Sequence, residues 1–256
     1  MFLEATMKQL SLLVFILLCV VVWGIIVYLF QVPNYVLPSP ENVLKEFIND
    51  PFALTLHFLL TFSEAVLGLT LAWVLAFGFS IILFIFPKIE NLIMPILVGF
   101  KAIPLIAIAP LLILWFGNGF LSKCVMAGTI AFFPLLINYL KGYRACNDDE
   151  ILFLRNLGLN RFQELWSFRY YKSTPFWLAG LKISSVLAAV GAIVAEFSGA
   201  KSGLGYLVIV SSVRIDTPLL FVGIILSAFC GIALYIGASL IERFLLKKRH
   251  MEPLSD

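Results

Sequence analysis

Long runs of apolar residues without a charged side chain dominate the pattern of this sequence. A helix needs about 20 residues to cross a hydrocarbon core of about 30 Å, and each run is about that long. Two further segments are interrupted by single lysines, Lys101 and Lys182, but remain mostly apolar over a spanning length. The pattern therefore predicts six membrane-spanning helices, over residues 10–30, 65–86, 91–116, 124–140, 174–195 and 217–241.

The composition agrees with a membrane protein. Apolar residues make up 61% of the 256 residues, charged residues 13%, and the mean hydropathy is +1.02. An average soluble domain has about 45–50% apolar and about 25% charged residues, so a soluble enzyme, a disulfide-stapled secreted domain and a disordered protein are excluded. The first run is too long for a signal peptide and lacks a small-residue cleavage site. We expect an all-α membrane protein with one transmembrane domain over residues 1–256.

The basic residues predict an orientation. If the N-terminus is cytoplasmic, the inner loops hold twelve lysines and arginines and the outer loops hold four, which are Lys45, Lys123, Lys201 and Arg214. Short cytoplasmic loops are enriched in basic residues, so both termini are predicted to be cytoplasmic. The formal net charge of +3 is too small to indicate a nucleic-acid partner.

The inner connection at residues 141–173 is longer than most connections in compact domains, so it is expected to have structure of its own. An acidic run from Asp148 favours a helix start, and Gly158 is a natural left-handed stop. Asn160 then resembles the start of a capping box for a second short helix over residues 161–168. We call residues 148–168 the knob. Its apolar face and charged edge are suited to a partner's groove.

Candidate chemistry inside the spans is sparse. The chain has two histidines, His57 and His250, and the spans hold no paired acids, Ser/His constellation or metal-ligand spacing. No Walker-type glycine loop is present, so any nucleotide hydrolysis is expected to belong to another chain. The sequence predicts neither an enzyme nor a bound cofactor or metal.

Ionisable side chains within spans cost roughly +2.5–3.5 kcal/mol at the helix centre and are functional candidates by default. Glu196 and Lys101 are the candidates for the solute pathway or its gate. Glu64 lies near an outer span end and Lys182 is eight residues into its span, so both are expected to extend towards the membrane surface. The third segment is expected to be broken by its three prolines, which are Pro95, Pro104 and Pro110.

Two outer segments also have predicted structure. Ser39 and Pro40 form a typical helix start, and the following apolar residues predict a short amphipathic helix over Pro40–Asn49. The glycine-containing loop at residues 198–217 is expected to be ordered. Its Gly-Leu-Gly is not read as a nucleotide fingerprint, because no βαβ context surrounds it.

Several motifs together resemble the inner-membrane permease subunits of bacterial ABC importers, in the branch that handles nitrate, sulfonates, taurine and pyrimidine or thiamine precursors. The resemblance covers most of the chain. It rests on Leu-Pro-Ser-Pro at 37–40, Lys-Ala-Ile-Pro at 101–104, Ala-Pro-Leu-Leu-Ile-Leu-Trp-Phe-Gly at 109–117, Ala-Gly-Leu-Lys-Ile at 179–183 and Val-Ala-Glu-Phe-Ser-Gly-Ala-Lys-Ser-Gly-Leu-Gly-Tyr at 194–206.

This resemblance implies a type I importer fold in the inner membrane, working by alternating access. Two permease subunits, here expected to be a homodimer, would form the pathway within the lipid. Cytoplasmic ATPase subunits would bind the ATP, and a periplasmic or lipid-anchored binding protein would deliver a small anion or a pyrimidine- or thiamine-precursor-like solute. The knob would be the coupling loop, with ATPase-coupling residues Leu154, Arg155, Leu157, Gly158, Arg161, Glu164 and Leu165.

The knob departs from the family pattern at one place. The usual Glu-Ala-Ala is Leu-Phe-Leu at residues 152–154, while the following glycine is present as Gly158. The acidic residue usually found there is thus missing. Glu150, Arg155 and Glu164 are the alternatives for the polar contact to the ATPase, and the sequence does not choose among them.

Two other classes of protein are alternatives. An ion-gradient-driven secondary transporter would also have six spans and broken helices, but such carriers commonly contain internal repeats, and the two halves here share no evident order of motifs. A structural or assembly protein of the membrane would have little use for a long structured inner loop.

Overall fold

The protein is predominantly helical. The computed structural model describes residues 2–249 and 251, with the side chains of residues 2–10, 12, 13, 101, 105, 148 and 155 excepted. No strand occurs among them. The helices are α1 (Phe2–Leu29), α2 (Pro40–Asn49), α3 (Pro51–Ile85), α4 (Pro87–Lys101), α5 (Leu105–Phe116), α6 (Phe120–Arg144), α7 (Asp148–Asn156), α8 (Arg161–Glu164), α9 (Tyr170–Lys172), α10 (Thr174–Glu196), α11 (Leu204–Arg214) and α12 (Thr217–Arg249), with a π-helical turn (Leu165–Arg169) between α8 and α9.

Four of the described helices, α3, α6, α10 and α12, are long and apolar enough to cross a membrane. The apolar stretch Val14–Leu29 lies within α1. The third segment predicted from the sequence is divided into α4 and α5. All six predicted segments are therefore helical, and the prediction of an all-α membrane protein is confirmed.

The division of the third segment occurs at one proline only. Pro104 has ψ of 125° and precedes α5, whereas Pro95 and Pro110 lie inside α4 and α5. The expectation that all three prolines break the segment is therefore wrong. Membrane helices tolerate internal prolines, and the chain leaves the helical conformation only at residues 102–104.

Helix α6 is the centre of the bundle, because it packs along both α3 and α10. Small residues permit the close approach. A Cβ atom on Gly68 would lie only 2.7 Å from the Cys124 carbonyl oxygen, so α3 and α6 are in backbone contact there. Helix α12 packs on the other side of α10. The core consists largely of alanines and leucines from these helices, with Tyr139 and Tyr143 among the largest buried side chains.

The two predicted outer segments are confirmed. Ser39 accepts a hydrogen bond from the Asn42 backbone N–H at 3.2 Å, and Pro40 is the first residue of α2. The loop at residues 198–217 contains α11, which packs against α12. These elements lie at the end of the bundle opposite the knob and position the ends of α3 and α10.

Candidate functional site

The first helix of the knob is fixed by a cap that the sequence analysis did not identify. Asn147 Oδ1 accepts from the Glu150 backbone N–H at 3.0 Å, and Glu150 Oε2 accepts from the Asn147 N–H at 2.9 Å. This reciprocal pair satisfies two backbone donors at the start of α7. The spacing of an asparagine and an acidic residue three positions later was the available signal. The helix itself begins at Asp148, as the acidic run predicts.

The turn and the second helix follow the sequence prediction in part. Gly158 has φ of +67°, the left-handed conformation that favours glycine. Asn160 and Gln163 form the predicted capping box, with bonds of 2.9 and 3.0 Å. The predicted single α-helix over residues 161–168 is wrong, because the chain passes from α8 into the π-helical turn. A π-helical turn contains an extra residue, which changes the direction in which the following side chains point.

The knob is anchored to the membrane helices by buried side chains. Leu154 and Leu165 are almost completely buried, and Leu165 belongs to the main core. Arg161 Nη1 donates to the Phe84 carbonyl oxygen at 3.3 Å. Two of the predicted coupling residues, Leu154 and Leu165, therefore hold the knob in place within this chain.

An exposed apolar surface lies on the rest of the knob. Leu157 is 57% exposed, and the four other large apolar side chains of this surface are between 45% and 60% exposed. Apolar area of this kind, concentrated on a projecting unit, is typical of a contact surface for another protein. We call it the knob face, and it consists of Leu152, Phe153, Leu157, Phe162 and Trp166.

The carboxylates of the knob are engaged inside the chain. Glu164 Oε2 accepts from Arg169 Nε at 3.1 Å and Nη2 at 3.0 Å, and both side chains are largely buried. Glu150 is hydrogen-bonded to Lys172, and this contact holds the pKa of Glu150 below its ordinary value. Two of the three candidates for a polar contact to a partner are thus already paired. The side chain of the third, Arg155, lies outside the described part of the structure.

A second polar site lies at the opposite end of the bundle, in the interior. Glu196 is 1% exposed and ends α10. Its Oε1 accepts from Thr61 Oγ1 of α3 at 2.6 Å, and its Oε2 accepts from the Gly205 backbone N–H at the start of α11. One carboxyl group therefore joins α3, α10 and α11.

The glycines of the outer loop make room for this carboxyl group. Gly203 has φ of +110°, and a Cβ atom there would overlap the Glu196 side-chain oxygens. Backbone N–H groups of this loop also bind α3. The Gly203 N–H donates to His57 Nδ1 at 2.9 Å, and the Leu204 N–H donates to Thr61 Oγ1 at 2.8 Å. Two consecutive backbone N–H groups thus hold the start of α11 against α3, and the third, that of Gly205, binds Glu196 of α10. We call Thr61, Glu64, Lys123 and Glu196 the outer cluster.

Glu64 and Lys123 complete the outer cluster with a buried ion pair. Lys123 Nζ lies 3.3 Å from Glu64 Oε1, and both side chains are at most 9% exposed. The Glu64 carboxyl oxygens have no hydrogen-bond donor among the described residues. The expectation that Glu64 extends to the membrane surface is wrong, because α6 places an ammonium group beside it. Lys123 is likewise not a loop residue, because it lies in α6.

The remaining ionisable candidates have different positions. Lys182 Nζ lies 2.8 Å from Glu242 Oε2 of α12, so Lys182 is paired between helices and does not extend freely to the surface. Lys101 is the last residue of α4, and its side chain lies outside the described part of the structure. Glu196 faces no surface of this single chain, so its place on the pathway stays a prediction.

The sequence analysis missed the rest of the outer cluster, although a signal was present. His57, Thr61 and Glu64 are spaced four and three residues apart, which places them on one face of a helix. Three polar residues on one face of an otherwise apolar helix indicate a buried polar contact. Among the described residues no group of three histidines, cysteines or acids is placed to hold a metal ion.

The knob is fixed to the end of α3 at Phe84, and the outer cluster joins the opposite end of α3 to the end of α10. Comparison with known proteins identifies the family of this chain. Residues 65–248 match the family described as "Binding-protein-dependent transport system inner membrane component".

Similar proteins extend over nearly the whole chain. The riboflavin transport system permease protein of Chloroflexus aurantiacus is 36% identical over 93% of this chain and 90% of its own length. A probable ABC transporter permease protein of Haemophilus influenzae is 32% identical over 88% of this chain and 92% of its own length. The formylaminopyrimidine transport permease protein of Halalkalibacterium halodurans is 31% identical over 92% of this chain and 94% of its own length.

These matches favour the ABC importer over the ion-gradient-driven alternative, because each of these relatives is a transport permease and the family depends on a binding protein. The protein is a multi-pass membrane protein whose family works with an ATPase and a solute-binding protein. The chain belongs to the binding-protein-dependent transport system inner membrane components, the permease subunits of ABC importers.

Proposed function

We propose that this chain couples to its ATPase through the knob face. The observation that carries the proposal is the exposed apolar side chains on a unit whose Glu150 and Glu164 are both paired internally. An apolar groove on the ATPase would bury this surface. ATP binding would then close the ATPase pair, move the knobs and open the spans outward.

The proposal assigns the chemistry of ATP to the partner. The permease itself binds no ATP and catalyses no reaction, and a second copy of this chain supplies the other half of the pathway. Glu196 and Lys101 remain our candidates for the pathway or its outer gate. The outer cluster supports such a role for Glu196, since the residue joins three helices at the end of the bundle where solute would enter.

We expect both termini and the knob to be cytoplasmic, because twelve basic residues lie in the loops on that side. Reporter fusions after Lys45 and Lys201 should give an external signal, and fusions after Arg155 and Lys248 an internal one. An internal signal at Lys201 would contradict the six-span topology, because the loop that contains it follows the fifth span.

We propose a planar nitrogen heterocycle as the solute. Two of the similar permeases are named for riboflavin and for a formylaminopyrimidine. A cavity of about 610 Å³ between α3, α4, α5 and α6 supports this class, because Thr129 is its only side chain with a polar group and four phenylalanines line it: Phe79, Phe100, Phe132 and Phe133. Flat aromatic rings stack on such side chains.

ATP hydrolysis by the reconstituted complex tests the solute class. Riboflavin or a formylaminopyrimidine should stimulate ATP hydrolysis by the complex of this chain, its ATPase and its binding protein. Taurine at the same concentration should not. Stimulation by taurine alone would contradict the heterocycle proposal and leave the permease function intact. An omission of the binding protein serves as the control, since solute should then have no effect.

A further inference from the structure

A polar cavity of about 380 Å³ lies between the knob and the membrane helices. Its walls come from the turn between α3 and α4, the end of α6, α7, α8 and the π-helical turn. The charged side chains that line it are Glu90, Arg144, Glu164, Arg169 and Arg161. Three guanidinium groups thus face two carboxylates, and the lining has one excess positive charge.

The two carboxylates are each taken by a different arginine. Arg144 Nη2 donates to both carboxyl oxygens of Glu90. Arg169 binds Glu164 through Nε and Nη2, and its Nη1 donates to the Tyr143 carbonyl oxygen at 2.9 Å. Each nitrogen of the Arg169 guanidinium group therefore donates a hydrogen bond, and this side chain closes one side of the cavity.

Arg161 carries the excess charge. Its Nη1 donates to the Phe84 carbonyl oxygen at 3.3 Å, and it has no carboxylate partner among the described residues. A guanidinium group has five N–H donors in a planar fork, so most of those of Arg161 remain available to a ligand in the cavity. Arg144 is 55% exposed at its side chain and lies on the same cavity wall.

We propose that this cavity binds the phosphate group of an anionic ligand, and that the ligand is the headgroup of an anionic phospholipid. Guanidinium forks match the geometry of phosphate oxygens. The cavity lies beside Phe84 and Pro87, where the apolar helix α3 ends and helix α4 begins, which is the level of the lipid headgroups. Basic pockets between membrane helices at this level are suited to such lipids.

A bound headgroup would connect the turn between α3 and α4 to the knob. Arg161 belongs to the knob, while Glu90 and Arg144 belong to the membrane helices. The site thus goes beyond the docking of the ATPase, and it can be tested in the absence of the ATPase and of solute.

Native mass spectrometry of the full-length chain in neutral detergent tests the site. We expect the chain to retain dioleoyl-phosphatidylglycerol in preference to dioleoyl-phosphatidylcholine. Arg161→Gln should lower this retention about fivefold, the effect of one basic side chain near an anionic lipid. Arg161→Lys should keep most of the lipid retention, because it keeps the positive charge. That result would also show that the position tolerates substitution.

The control is Lys88→Gln. Lys88 is an exposed basic residue in the first turn of α4 and does not line the cavity, so this variant should retain the lipid like the wild type. Equal retention by Arg161→Gln and the wild type would overturn the proposal. An equal loss in Lys88→Gln and Arg161→Gln would also overturn it, because it would indicate general attraction to a basic surface.

Competition with inorganic phosphate distinguishes a phospholipid headgroup from free phosphate as the ligand. We expect inorganic phosphate to leave the retained phosphatidylglycerol in place, because the acyl chains add apolar contact that free phosphate lacks. Displacement of the lipid by phosphate in the wild type would support the phosphate site but overturn its assignment to a lipid.

Discussion

Replacement of Leu157 by aspartate is expected to abolish solute-stimulated ATP hydrolysis. Leu157 is 57% exposed on the knob face, so it is available to the ATPase in this chain. Burying a large apolar side chain is worth roughly 1.5–3 kcal/mol, whereas an exposed ion pair is usually worth less than about 1 kcal/mol. A carboxylate at this position would add the cost of its own desolvation. Affinity for the ATPase should fall by more than about tenfold.

Asn156→Asp is the matched control for Leu157→Asp. It introduces the same charge one residue earlier, at an exposed position that is not part of the knob face. Co-purification of the ATPase should be lost with Leu157→Asp and kept with Asn156→Asp, while both variants reach the membrane in normal amounts. If Leu157→Asp retains the ATPase and its stimulation, the docking surface lies elsewhere on the chain.

Glu164→Ala should behave differently from a substitution on the knob face. The carboxylate binds Arg169, which is also buried, so its removal leaves an arginine without its ionic partner. The variant is therefore expected to be present in the membrane in reduced amounts. The sequence alone suggests a mild effect on docking, because it does not reveal that the two side chains meet.

Replacement of Glu196 by glutamine is expected to lower transport while the protein remains normally abundant. Glutamine keeps the volume of the side chain and leaves the Glu64–Lys123 ion pair balanced. It has one carbonyl oxygen, however, and cannot accept from both Thr61 Oγ1 and the Gly205 N–H as the carboxylate does. A buried donor left without a partner costs about 1–3 kcal/mol, enough to loosen the start of α11.

Two further variants separate this effect from loss of folding. Glu196→Leu leaves the Thr61 hydroxyl and the Gly205 N–H without their acceptor and should reduce the abundance of the protein in the membrane. Glu41→Gln changes an exposed glutamate of α2 near the same end of the bundle and should leave transport unchanged. Abundance is measured by immunoblot of membranes and transport by uptake of radiolabelled solute. Normal transport by Glu196→Gln would make the residue structural only.

The sequence predicts the helices better than their contacts. Apolar runs and helix-start signals depend on neighbouring residues, so the six segments, α2 and the capping box at Asn160 are confirmed. The break of the third segment is found only at Pro104, because a proline inside a membrane helix need not end it. The π-helical turn has no simple sequence signal, and its first residue, Leu165, is buried in the core.

The outer cluster shows why the candidate sites are harder to predict. Glu64 and Lys123 are 59 positions apart in the chain, and the close packing of α3 on α6 at Gly68 brings them together. From the sequence each residue is a single charge near a span end, for which extension to the surface is the simpler expectation. The pairing belongs to tertiary structure, which hydropathy along one helix does not reveal.

Uptake into proteoliposomes tests the central claim most directly. Vesicles should contain this chain and its ATPase, with loaded binding protein outside, ATP inside, and ionophores present to remove all ion gradients. We predict uptake of solute that requires both ATP and the binding protein and that is lost with Leu157→Asp. Uptake that follows an imposed ion gradient and is indifferent to ATP would contradict the assignment of this chain to an ATP-driven importer.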